Sequence, residues 1–279
     1  MIIKERPVIT WLLNPEIPGF HPGLVFAKPK LMINYEILNT DLEQLKTVRD
    51  LKPDWGLPEL VMPSFKKVVE KSDPTFEKMM PDLLEEFGKT DECGILILQK
   101  NETIVYGFGG GQLMIWYFKE QNGHSCFHFR AECAVIDGQW EFYIPDDSIL
   151  FDDNLMEGLI KDRKDRIGNI LRFVAVYVAV KKYGKVETVV IPRGKFTAIE
   201  GTPLEYVEKK KVINQTGQEV IVMDSKWFKK IINDNDIPVR GHFRMQNKKN
   251  DDGEWYKELI FVDPFIRHGY HRNAKIEEE

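Results

Sequence analysis

Cysteine is scarce in this chain. Its 279 residues hold three, Cys93, Cys126 and Cys133. Three is too few, and an odd number, for a disulfide framework, and it fits a reducing cytoplasm. Long apolar runs are missing too. The longest, ILRFVAVYVAV at 170–180, is too short to span a bilayer and contains Arg172, so a buried helix is expected there. The opening MIIKERPVIT has no extended apolar stretch behind its basic residues, and neither end carries a lipidation motif. Neither a secretory leader nor membrane attachment is therefore expected.

A strong charge of one sign is also lacking. The formal net charge is -5, and no basic stripe of the kind used by dedicated duplex-DNA binders stands out. The balance is uneven, however. Residues 1–150 carry 15 Lys+Arg against 23 Asp+Glu, whereas residues 151–279 carry 24 against 21. Such an excess draws phosphate only weakly, and ordinary surface charge accounts for it equally well.

The familiar catalytic motifs are absent. There is no GxSxG elbow for a nucleophilic serine, no HExxH and no CxxC pair. The glycine-rich GFGGGQ at 107–112 has Gln112 where a dinucleotide fingerprint needs Gly or Ala. No Lys-Ser/Thr follows it, and the next segment is an aromatic strand instead of a helix. It reads as a turn or bulge between strands. In HSCFHFR, strand alternation puts His124, Cys126 and His128 on one face and Phe127 and Phe129 on the other. Ligands spread along one extended strand converge poorly on a tetrahedral ion, so neither metal nor cofactor is expected.

What is present is an α+β pattern. Five prolines in the first 35 residues disfavour helix, and PVITWLL and LVFA read as short strands. DLEQLKTVRD at 41–50 reads as a short helix, and helices are expected at 64–71 and 75–88, the second ending at Gly88. From Gly94 to Ile144, aromatic and β-branched runs alternate with turn residues, the signature of an antiparallel meander of four or five strands.

Residues 151–183 then form a long central helix, capped by Asp152, Asp153 and Asn154 and ended by Gly184. Ile160, Ile167, Leu171, Val174 and Val178 follow helical spacing on its buried side, leaving Lys161, Lys164 and Arg172 in water. KVETVVIPRG, KKKVINQ and QEVIVMD are strand candidates in a smaller C-terminal mixed sheet, and SKWFKKIIN is a short helix. A soft boundary near residue 150 separates an acidic N-terminal region, 1–150, from a basic C-terminal region, 151–279.

The chemistry concentrates in the tail. VRGHFRMQ at 239–246 and LIFVDPFIRHGYHRNAK at 259–275 hold three of the six histidines, His242, His268 and His271, with Arg240, Arg244, Arg267 and Arg272. On one strand Arg240, His242 and Arg244 alternate and share a face. A hairpin across NKKNDDGE would bring Arg267, His268, His271 and Arg272 towards them. Guanidinium groups match phosphate oxygens with paired donors. His242 and His268 would supply an acid and a base for metal-independent RNA transesterification, with Tyr270 as a further candidate. The same residues admit a structural reading, in which the arginines pair with Asp251, Asp252, Glu254, Glu258 and Asp263.

This tail resembles a family of uncharacterised proteins encoded by bacteriophages and mobile elements. The shared pattern is an Asp-Ser/Ala-x-Trp helix start (Asp224, Ser225, Trp227), the strand VRGHFR, the strand LIFV and the ending HGYHRNAK. Phe261 stands where the family usually has tryptophan, and MQNKKN replaces its Gln-Pro-x-Gly after GHFR. The resemblance covers about the last 60 residues. It implies a mobile-element setting in a bacterial cytoplasm and supplies no activity. Two functions are therefore expected: engagement of nucleic acid, RNA before DNA, through an Arg/His hairpin, which would be enzymatic if the histidines cleave RNA; or non-enzymatic binding of a host or phage protein through the acidic half.

Overall fold

The computed structural model describes residues 1–26, 35–51, 54–62, 65, 79–98, 101–137, 139–143, 157–183, 188–197, 211–223, 237–239, 242–262 and 265–267. After β1 (Ile2–Ile3), PVITWL forms helix α1 (Pro7–Leu12) where a strand was expected. Proline at the first helical position is preorganised for a helix and gives up an N–H that would have no partner anyway. Val8 N–H donates to Ser125 Oγ, 3.1 Å away, and Arg6 O accepts from Ile9 and Thr10. Tertiary partners thus override the β-branched composition.

Next come β2 (Leu24–Phe26), helix α2 (Tyr35–Leu51), β3 (Glu59–Leu60) and helix α3, which includes residues 79–89. α2 is longer at its start than the expected 41–50. The expected helix at 64–71 lies outside the described residues except for Phe65. Gly88 sits inside the last turn of α3, not beyond it. A Cβ there would come within 2.7 Å of the Gly111 backbone nitrogen, so the helix passes where only glycine fits.

The meander forms as five strands: β4 (Cys93–Leu98), β5 (Glu102–Gly109), β6 (Gln112–Gln121), β7 (His124–Ile136) and β8 (Gln139–Tyr143). Its tight turns follow the sequence. Gly110-Gly111 (φ 58° and 76°) joins β5 to β6, and Asn122-Gly123 (φ 51° and 78°) joins β6 to β7, both with the positive φ pair of two-residue hairpins. GFGGGQ is therefore a hairpin turn.

The alternation expected in HSCFHFR fails at one residue. Phe118 pairs with Phe127 and Tyr117 with Phe129, so His128 is an extra residue in β7. This bulge sends Phe127 and Phe129 to opposite faces of the sheet.

Helix α4 (Glu157–Tyr183) follows, then β9 (Thr188–Ile191), β10 (Gly194–Thr197), β11 (Lys211–Asn214), β12 (Val220–Met223), β13 (Ile237–Val239), β14 (His242–Lys249), β15 (Trp255–Val262) and β16 (Phe265–Arg267). The large sheet runs β2-β7-β6-β5-β4-β3-β12-β9, with β8 on β7. β3 is parallel to both β4 and β12, and β2 is parallel to β7. Strands from both sides of residue 150 thus share one sheet. A second sheet, β1-β11-β10, also joins the N-terminal residues to strands beyond residue 190.

Helices cover both faces of the large sheet. Leu96, Ile104, Tyr106, Ile115 and Tyr117 pack with α3 and α4, while Ile95, Ile97, Val105, Trp116 and Phe118 pack with α1 and α2. In α4, Ile167, Leu171, Val174 and Val178 are buried as their spacing requires, and so are Val176, Tyr177, Ala179 and Val180. Arg172 departs from expectation. It is half-buried, with its guanidinium 5.5 Å from the Trp140 ring centroid. Among the described residues no helix is long and apolar enough to cross a membrane.

The architecture is α+β: an antiparallel meander, a long central helix and, at the C-terminus, a small two-part hairpin. The expected caps of α4, its Gly184 stop, the side chains of Ile160, Lys161 and Lys164, and the helix SKWFKKIIN lie outside the described residues.

Candidate functional site

The C-terminal hairpin is present, in a single register. β13 pairs with β16 from Ile237 opposite Arg267 to Val239 opposite Phe265, and β14 pairs with β15 from His242 opposite Val262 to Lys249 opposite Trp255. Both ladders are antiparallel with the same offset and form two separate two-stranded sheets, and β15 lies against α4. At the turn, Asn250 Oδ1 accepts from Glu254 N–H at 2.8 Å and Asn250 O from Gly253 N–H at 3.0 Å.

The structure places three of the seven expected site residues. His242 opens β14, Arg244 follows two positions nearer the turn opposite Ile260, and Arg267 closes β16 at the open base. Arg240, His268, His271 and Arg272 lie outside the described residues, as do Tyr270 and Asp263. Arg244 is exposed and donates to Gln246 Oε1 at 3.3 Å. Among the described residues no carboxylate bridges it. The structural reading holds instead for Lys248, which pairs with Glu258. That hydrogen bond raises the Lys248 pKa.

Cross-strand partners share a face and successive residues alternate, so the outer hairpin has two unlike sides. One carries Arg244, Gln246, Lys248, Tyr256 and Glu258. The other carries Asn247 opposite Lys257 and Lys249 opposite Trp255, all four exposed. Trp255 is 70% exposed, and Lys249 Nζ lies 4.9 Å from its ring centroid. No carboxylate stands among these four. Asp251, Asp252 and Glu254 are confined to the turn. The tail histidines and arginines dominated the sequence reading, which left Trp255 and Lys257 out. The usable signal was the alternation W-x-K opposite N-x-K.

Elsewhere, buried charges are answered internally. Arg6 donates to Glu102 O and Thr103 Oγ1, each at 2.7 Å, and Thr103 and Ser125 hydroxyls donate to Glu120 at 2.9 and 2.7 Å. Burial lowers the Arg6 pKa and raises that of Glu120. Glu59 accepts from Tyr177 OH at 2.7 Å and Lys181 Nζ at 2.5 Å, fastening α4 to β3. Arg130 bridges Asp41 at 3.2 Å and Glu132 at 3.0 Å, joining α2 to β7. Arg49 donates to Asn14 O and Ile17 O and lies 4.8 Å from the Trp11 ring centroid. These are staples between elements.

Among the described residues no three His, Cys, Asp or Glu side chains gather to hold a metal. His124 is exposed and Cys126 buried, while His128 sits edge-on to Tyr117 with centroids 6.0 Å apart. Compared with known proteins, the chain matches no protein-family model, no curated protein and no solved structure.

Proposed function

We propose that this protein engages nucleic acid, RNA before DNA, through its C-terminal hairpin. The observation that carries this reading is Arg244. It is an exposed guanidinium with no carboxylate partner among the described residues, on a hairpin that also presents lysines and aromatic rings to water. Arg6, Arg49 and Arg130 are held by backbone carbonyls or carboxylates, whereas the hairpin groups exposed cationic donors with exposed rings, and such donors suit phosphate oxygens. Arg240, Arg267, His271 and Arg272 would extend the phosphate contacts. The bacterial cytoplasm and the mobile-element setting belong to the same proposal and rest on the tail's resemblance.

RNA ranks ahead of DNA because His242 and His268 suit a metal-free attack by the 2′-hydroxyl, which DNA lacks. One imidazole would take the hydroxyl proton and the other would protonate the leaving oxygen. The test is retention of labelled RNA by the full chain at low salt, with affinity falling as salt rises. A protein that holds no RNA at low salt, yet captures a protein partner, would overturn the reading in favour of a non-enzymatic interaction factor. RNA cleavage in EDTA that disappears in His242→Ala would add catalysis; undiminished cleavage in that variant removes His242 from the chemistry.

A further inference from the structure

We infer that the Trp255 side of the hairpin is a stacking platform for an unpaired nucleobase, which makes single-stranded nucleic acid the substrate class. The inference rests on the nucleic-acid reading above and narrows it. An indole left 70% exposed at the end of a strand offers a partner a flat ring to stack on. Its surroundings specify the cover. Lys249 stands directly across the ladder, its Nζ 4.9 Å from the ring centroid. Lys257 is the next residue on that face and a diagonal neighbour of Lys249, about 7–8 Å away. Asn247, opposite Lys257, adds an amide that both donates and accepts. A flat ring, two ammonium groups and an amide with no carboxylate between them match a base, its phosphates and its hydrogen-bonding edge.

An apolar protein partner fits less well. It would have to bury Lys249 and Lys257 without an anion to meet them. The turn defines the direction of the strand. Asp251, Asp252 and Glu254 close the outer end of the platform, so a phosphate chain leaves past Lys257 towards the hairpin base. Arg244 lies on the opposite side of β14, where it reads phosphate independently of the ring. A duplex keeps its base faces stacked inside and offers Trp255 nothing to cover, which is why the platform selects unpaired strands.

The experiment compares one labelled RNA sequence, single-stranded and annealed to its complement, on the full-length wild type, Trp255→Ala, Trp255→Phe and the double variant Lys249→Ala/Lys257→Ala. Trp255 is exposed, so the variants fold, and circular dichroism checks this. We expect the single strand to bind the wild type more tightly than the duplex. Trp255→Ala should weaken single-strand binding about 5- to 150-fold, the range of one lost base stack, with duplex binding unchanged. Trp255→Phe should recover most of the loss. Tryptophan fluorescence should be quenched by the single strand in the wild type and not in Trp255→Phe. Wild-type binding that Trp255→Ala leaves intact would remove the platform while the hairpin reading stands. A wild type that binds neither form would remove both.

Discussion

The layered sheet and the C-terminal hairpin use the same side chains in opposite ways. In the sheet region, Arg6, Arg49, Arg130 and Lys181 reach inward, and each ends on a named carbonyl or carboxylate. Trp11, Trp55 and Trp116 are fully enclosed there. In the hairpin, Arg244, Lys249, Lys257 and Trp255 face water. The contrast shows that residue type alone does not announce a role. An arginine that closes a buried network is committed to the fold, while one with open donors is available to a ligand. If so, damage to the first region should appear as lost stability, and damage to the second as lost binding.

The largest effect should come from Arg6→Ala. Glu120 would stay buried against Thr103 and Ser125 without its cationic neighbour, and two backbone carbonyls, of Leu98 and Glu102, would lose a donor. Each buried group left without its partner costs roughly 1–3 kcal/mol, so the combined loss should be the largest of the set. Urea unfolding should show the midpoint falling with an unchanged slope. A loss under about 1 kcal/mol would place Arg6 with the surface residues and break the comparison.

A smaller effect is pH-dependent. Burial, with help from Glu132 and against Arg130, raises the Asp41 pKa from 3.8 to about 6. An acid whose folded pKa lies above its unfolded value holds its proton more tightly in the fold. Its contribution is therefore complete below the unfolded value and is lost as pH rises through about 6. A shift of this size corresponds to at most about 3 kcal/mol. Asp41→Asn keeps the shape and abolishes the titration. Unfolding midpoints of that variant should change less than wild type between about pH 4 and 7. Equal pH profiles for the two proteins would assign the dependence elsewhere.

How much of this was legible in advance follows from which forces are local. The meander was readable because its turns carry their own instructions, Gly110-Gly111 and Asn122-Gly123, and because its runs alternate. α1 was not, because Val8 and Ile9 favour strand until Ser125 arrives from β7 to take an N–H. The bulge at His128 was invisible, since nothing in HSCFHFR marks which residue the ladder skips. Nor does local pattern show that β12 would lie beside β3, a pairing between residues 59–60 and 221–222. At the site, the hairpin was legible from VRGHFR and LIFV, while the sequence left open whether Arg244 would pair with a carboxylate. The proposed Trp255 platform was missed because it depends on register, on Lys249 falling opposite Trp255 and not beside it.

The smallest structural effect, and the sharpest functional one, should come from Arg244. It is exposed and makes one long hydrogen bond to Gln246, so Arg244→Ala and Arg244→Lys should each alter stability by less than about 0.5 kcal/mol. Binding should separate them. If the guanidinium neutralises one phosphate, Arg244→Ala should reduce the slope of log affinity against log salt by about 1. Arg244→Lys keeps the charge, and therefore the slope, but loses the planar paired donors, so its affinity should fall at every salt concentration by a similar factor. A lysine variant indistinguishable from wild type would make Arg244 a point charge with no geometric role. An alanine variant that unfolds as readily as Arg6→Ala would move Arg244 from the hairpin's working surface to the fold's internal staples, and the division between the two regions would fail at the residue chosen to represent it.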